Sequence, residues 1–103
     1  MASHLCRLTL VYPPEAEDAL LSLLEQSEPA LPGYTTWSAR GHGVGFDGAS
    51  HAERVAGRVS RRVLTLVAGT ERAEALLDEI RVNAPIPHLM FWMEPVLAAG
   101  RLA

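Results

Sequence analysis

The hydrophobic period of this chain switches from two residues to about 3.6 and back, twice over, and few architectures accept that alternation. From Leu5 to Tyr12, Cys6, Leu8, Leu10 and Tyr12 take one side and Arg7, Thr9 and Val11 the other, as in a strand. Pro13-Pro14 stops it, and Pro14 suits a first helical turn. Glu15, Glu17 and Asp18 then sit where a helix dipole favours negative charge. Ala16, Ala19, Leu20, Leu23 and Leu24 share one helical stripe, which Pro29, Pro32 and Gly33 terminate. Strands are predicted over Tyr34 to Ala39 and Arg61 to Val67. Thr70 is placed as the cap of a second helix, striped by Ala73, Leu76, Leu77 and Ile80 and closed by Asn83-Ala84-Pro85. His88 to Glu94 reads as a fourth strand broken by Pro95, and Val96 to Leu102 as a short tail able to add an edge strand.

The order βαββαβ in 103 residues predicts a single α+β domain of ferredoxin-like form. Its four-stranded antiparallel sheet carries both helices on one face. Apolar residues fall on both parities of the strands, with Trp37 and Trp92 adding large surface. A sheet apolar on both faces is normally covered on both. With two helices available, self-association is the simplest second cover.

Between the second and third strands lies a connection of about 20 residues, roughly 41 to 60. It opens on Arg40-Gly41-His42-Gly43-Val44-Gly45-Phe46-Asp47-Gly48, where four of eight positions after Arg40 are glycine. Long connections in small domains are usually functional. Ser50-His51-Ala52-Glu53 has capping-box spacing, and a short helix is predicted from about His51 to Ala56, ended by Gly57. Arg54, Arg58, Arg61 and Arg62 gather on the return limb, either as a solvated basic face or as an anion or acidic-partner site.

Composition narrows the chemistry. Net charge is −3, which disfavours nonspecific nucleic-acid binding. All nine basic residues are Arg, so lysine Schiff-base and P-loop chemistry are excluded. Cys6 has no partner for an internal disulfide and reads as a buried thiol. The N-terminal residues lack the apolar core of a signal peptide, and no apolar run is long enough to span a membrane. A soluble cytoplasmic protein without direct membrane insertion is expected.

Gly33-Tyr-Thr-Thr-Trp-Ser-Ala-Arg-Gly-His-Gly43 resembles the end of strand two and the loop base of PII signal-transduction proteins. Gly33, Thr35, Arg40, Gly41 and Gly43 match that pattern, and His42 takes an aromatic position. Leu10-Val-Tyr-Pro13 is similar to the family's first strand and its proline exit. Within the superfamily the chain looks most like a small PII-like group, some members of which are encoded beside heavy-metal efflux pumps. Arg40-Gly-His-Gly43 and Pro95-Val-Leu-Ala-Ala-Gly-Arg-Leu102 carry that likeness. The resemblance implies a homotrimer whose sheets line the centre, with ligand clefts between subunits at the loop bases and the long loop directed at a partner. The ligand site is placed at Arg40, Gly41, His42, Gly43 and Gly45, at the loop base where the resemblance implies a cleft, and the guanidinium groups of Arg40, Arg61, Arg62 and Arg101 are able to hold an anion. Phe46, Asp47, His51, Arg54 and Arg58 then form the partner surface, the partner being a protein such as a membrane transporter or efflux component. Gly45 stands where PII proteins carry a Gln, and Ala84-Pro-Ile-Pro-His88 replaces their Gly-rich turn with its Lys. The ligand stays open between a nucleotide and a divalent metal.

His4, His42, His51 and His88 are candidate metal ligands, with Cys6, Asp47 and Glu53 as helpers, although none has zinc-finger spacing. His42 and His51, nine residues apart in one loop, are the metal pair of choice. Catalysis is not expected: Cys6 lacks an identifiable base, and Ser50, His42 and Asp47 make a triad in composition only. The favoured reading is a PII-like regulatory protein whose loop is ordered by a ligand at its base. A metal-handling accessory protein and an inert assembly module are the alternatives.

Overall fold

The computed structural model describes residues 4–42 and 58–103. Its elements are β1 (Leu5–Tyr12), a 3₁₀ turn (Pro14–Ala16), α1 (Glu17–Gln26), β2 (Tyr34–His42), β3 (Arg58–Gly69), α2 (Thr70–Asn83) and β4 (Met90–Val96). The strands form one antiparallel sheet in the order β2-β3-β1-β4. This is the ferredoxin-like α+β arrangement that the alternation of periods predicts.

Register assigns every strand residue to a face. On the helix side, Leu8 lies between Leu66 and Met93, and Leu10 between Leu64 and Phe91. Leu8, Leu10 and Leu64 are fully buried there beneath Leu20 and Leu24 of α1 and Ala73, Leu76 and Ile80 of α2. Ala19, expected in the α1 stripe, is exposed; a helix of ten residues over this sheet buries a narrower arc than the spacing allows. Cys6 is buried at 3% exposure and free, as its parity requires.

The other face is half covered. One row across it runs Trp37, Val63, Val11, Met90, and the next runs Thr35, Thr65, Thr9, Trp92. Trp37 and Trp92 remain 45% and 43% exposed, and Met90 62%. Beyond these rows Arg7 donates to Glu94 at 2.7 Å, and Trp92 Nε1 donates to the same carboxylate oxygen at 3.1 Å. The bond from Arg7 leads in holding the Glu94 carboxyl below the usual carboxylate range.

Several boundaries differ from the sequence reading. β2 runs to His42 and β3 begins at Arg58, so backbone pairing continues beyond Ala39 and Arg61 into the expected loop. β4 starts at Met90 because His88 adopts a left-handed backbone (φ 63°) that ends the preceding turn. It then continues through Pro95, which an edge strand tolerates. The N-cap of α2 is Gly69; Thr70, one residue later, donates its N–H and its hydroxyl to the carbonyl of His4. The helix predicted near His51 to Ala56 lies outside the described residues.

The exit of α1 is pinned to α2 by one arginine. Arg72 donates to Ser27 Oγ (2.5 Å) and to the carbonyl of Pro29 (2.8 Å), and pairs with Glu79 at 3.3 Å. Ser27 Oγ in turn donates to Glu79 at 2.7 Å. Arg72→Ala leaves the buried Ser27 and the Pro29 carbonyl without this donor, and a loss of about 1–3 kcal/mol is expected in urea unfolding. Arg72→Lys is expected to recover little of it, since one ammonium cannot reproduce the fork.

Candidate functional site

Beyond the helical layer, β2 and β3 continue as a two-stranded ribbon. Ala39 faces Arg61, Arg40 faces Ser60, Gly41 faces Val59 and His42 faces Arg58. Strand alternation therefore sets Ser38, Arg40, His42, Arg58, Ser60 and Arg62 on the helix side. Gly41, Val59 and Arg61 take the opposite side. A Cβ at Gly41 would stand 3.0 Å from Val59 Cγ2, so this close approach suits glycine.

A polar joint holds the root of the ribbon to the helical layer. Arg62 donates to Ser38 Oγ (2.6 Å), Thr36 Oγ1 (3.1 Å) and Glu17 Oε1 (3.3 Å). Its Nε lies 2.8 Å from Glu17 Oε2, close enough for an ion pair although not aligned for a hydrogen bond. Tyr12, opposite Arg62 in the register, donates its hydroxyl to Glu17 Oε1 at 3.2 Å. The proline exit from β1 and the 3₁₀ turn deliver Glu17 to the spot where it meets both.

Arginines divide by position. Arg7, Arg62, Arg72 and Arg81 each pair with a carboxylate. Arg40, Arg58 and Arg61, all in the ribbon, have no acidic partner among the described residues; Arg61 reaches only the carbonyl of Ser60. His42 is exposed beside them. Among the described residues, arginines without an ion pair are thus grouped on the ribbon, apart from Arg101 in the C-terminal tail.

Of the residues singled out from sequence, the structure brings Arg40, Gly41, His42 and Arg58 together on the ribbon. Arg62 is nearby, but its guanidinium is engaged by Glu17, Ser38 and Thr36. Arg101 is not brought there: it lies in the tail after Val96, which pairs with Leu5 at the opposite end of the sheet. Gly43, Gly45, Phe46, Asp47, His51 and Arg54 lie outside the described residues. Among the described residues no group of three His, Cys, Asp or Glu is placed to hold a metal. None of the described helices is long and apolar enough to cross a membrane. The Tyr12–Glu17 contact is the feature that sequence reasoning missed. Its signal was a phenol at core parity on a strand end, which needs a polar partner.

Burial, then the charge of Glu17, then the hydrogen bond to Glu17 push the Tyr12 phenol up to about 12, against the opposing effect of Arg62. Because the folded value exceeds the unfolded one, the stabilisation is complete below pH 10 and is lost as pH rises through about 12. Wild-type stability is expected to fall across that window by about 2 kcal/mol. In Tyr12→Phe that part of the pH dependence should vanish in denaturant titrations.

The family model for DUF3240, a protein of unknown function, matches residues 2–103. A DUF3240 family protein from Shewanella baltica superposes with a TM-score of 0.77 at 16% identity, covering 100% of both chains. A PII-like signaling protein from Thermus thermophilus gives 0.62 at 22% identity, over 91% of this chain and 88% of that one. PII from Arabidopsis thaliana bound to citrate gives 0.65 at 15% identity, over 91% and 78%. No curated protein matches the chain. The β2–β3 ribbon on a four-stranded sheet under two helices is therefore a shared PII-like fold, and the chain belongs to the DUF3240 family.

Proposed function

We propose that this chain is a PII-like regulatory subunit that senses a small anion at the base of its β2–β3 loop and signals through that loop to a protein partner. The observation that carries the reading is the segregation of charge: Arg40, Arg58 and Arg61 lack carboxylate partners among the described residues, whereas the arginines of the domain body are paired. Guanidinium groups bind carboxylates and phosphates by paired hydrogen bonds. Arg40 and Arg58 share one side of the ribbon with His42, and Gly41 lets the two strands close behind them. A similar fold bound to citrate, a polyanion, supports the same chemical class here. The ligand would bias the segment between the two limbs, 43 to 57, towards or away from a partner such as a membrane transporter. Gly43 and Gly45 would let it turn, and Phe46, Asp47, His51 and Arg54 would meet the partner.

The ligand panel is ATP, ADP, 2-oxoglutarate, citrate and divalent metals, read by thermal shift. A ligand at ~100 times its Kd is expected to stabilise by about 2.7 kcal/mol. Arg40→Ala combined with Arg58→Ala should remove the response to an anion while leaving the unliganded Tm within a few degrees. An anion response unchanged in that double variant, or a response to metals alone, would reject the site. A metal response alone would move attention to His42 and His51.

The reading includes a homotrimer assembled through the open sheet face. That face presents Trp37, Met90 and Trp92 in two adjacent rows, and large half-exposed apolar side chains on one sheet face call for a cover. Light scattering should give three times the chain mass of 11.2 kDa. Trp37→Glu with Met90→Glu is expected to give a single-chain mass, because two charges would be desolvated in the interface. Either a wild-type monomer or an unaffected double variant would sink this assembly.

A further inference from the structure

A groove of about 400 Å³, the size of a small-ligand site, lies between α1 and the C-terminal half of α2. Its apolar wall is Ala19 and Leu23, one helical turn apart on α1. Gln26, Glu79 and Asn83 line it with polar groups. The Glu79 side chain is 31% exposed and held from behind. Ser27 Oγ donates to its Oε2 at 2.7 Å, and Arg72 donates to its Oε1 at 3.3 Å. Each carboxylate oxygen accepts one of these bonds and keeps a second lone pair. Gln26 donates its amide N–H to Ser22 Oγ at 3.5 Å, which leaves its carbonyl oxygen as an acceptor. Asn83 adds a second amide carbonyl, and no basic residue lines the groove.

The surroundings favour positive charge. Segment 14–29 carries five carboxylates and no arginine, and segment 70–83 carries four carboxylates and two arginines, a formal charge of −7 for the helical layer. The strands carry Arg7, Arg40, Arg58, Arg61 and Arg62 against Glu94 alone. Both helices also end at the groove, α1 at Gln26 and α2 at Asn83. A helix C-terminus is the negative end of its dipole. The last turn of α1 has no basic residue, and Arg81 in that of α2 is paired with Asp78. Asp18 and Glu25 are exposed, lie one turn to either side of Ser22, and have no ion pair among the described residues.

We propose that this groove binds an organic cation: an ammonium or guanidinium group on a short methylene stem. The head sits against Glu79 and accepts the carbonyl oxygens of Gln26 and Asn83 as further partners for its N–H groups. The stem lies along Ala19 and Leu23. A bare metal ion does not suit the site, because among the described residues no group of three His, Cys, Asp or Glu is placed to hold one. An anion would find one carboxylate and two helix C-termini facing it. Free amines and the basic side chains of a protein share this chemistry. The site is on the helical layer, away from the ribbon and the open sheet face, and rests on neither the anion reading nor the assembly proposed above.

Isothermal titration of the full chain with agmatine, and with a short capped peptide carrying one arginine, separates the two sources. Binding of agmatine identifies a free amine as sufficient, and binding of the peptide alone identifies a side chain presented by a partner. Silence from both probes overturns the proposal. Ala19→Leu fills the path of the stem, and Gln26→Arg places a cation at the head position. Both replace exposed residues on α1 with good helix formers, so the fold is kept. Each is expected to weaken binding about tenfold. Asn83→Asp adds a carboxylate beside the head and is expected to strengthen binding by about the same factor. Wild-type affinity in both Ala19→Leu and Gln26→Arg would overturn the groove as the site, whatever the attraction of the acidic layer at large. The combined Arg40→Ala and Arg58→Ala variant should bind the cation as the wild type does, and a loss there would place the cation elsewhere.

Discussion

Everything in this structure hangs on the register of β1. It is the only strand of the four that touches both β3 and β4, and each of its residues from Leu5 to Val11 fixes one position on each side. Leu8 and Leu10 meet Leu66 and Leu64 on one flank and Met93 and Phe91 on the other. A slip of one residue would send these leucines to the open face and bring Arg7 and Thr9 under the helices. The cost of desolvating Arg7 away from Glu94 forbids it. The same register sets Tyr12 against Arg62, and so fixes where the ribbon leaves the sheet.

The fold was legible because the signal for it is periodic and redundant. Leu8, Leu10, Leu64 and Leu66 alternate, Leu20, Leu24, Leu76 and Ile80 recur at helical spacing, and either set alone would predict a two-layer domain. What failed was local. His88 ended a turn instead of starting a strand, a backbone state that no periodicity encodes. Pro95 sits inside β4, because only the topology reveals that β4 is an edge. Arg40, Gly41 and His42 stood out as a candidate site by their residue types, yet their shared or opposed faces depend on pairing with Arg58, Val59 and Ser60 across a connection. Arg62 looked equivalent to Arg58 and Arg61 in sequence. Only Glu17, 45 residues away, separates it from them.

That separation has a mechanical consequence. The ribbon is held at its root on both sides of the sheet. On the helix side Arg62 ties Thr36 and Ser38 of β2, and its own strand, to Glu17. On the open side Trp37 and Val63 stand in the apolar row that extends to Met90. Arg62 has no freedom to follow a ligand without abandoning a half-buried carboxylate, so it acts as an anchor. Arg40 and Arg58 lie two and four residues further out, past the last such tie.

A ligand bridging Arg40 and Arg58 would therefore work against a fixed base. Both limbs are already registered to Gly41 and Val59, so closing them costs little additional backbone order. The energy of contact would be felt beyond His42 and Arg58, not within the sheet, whose central strands β1 and β3 are paired on both sides. Anything covering Trp37 and Val63 stiffens the same root from the other side. In such a design assembly and ligand binding share one element, and each is expected to strengthen the other without a change in the core.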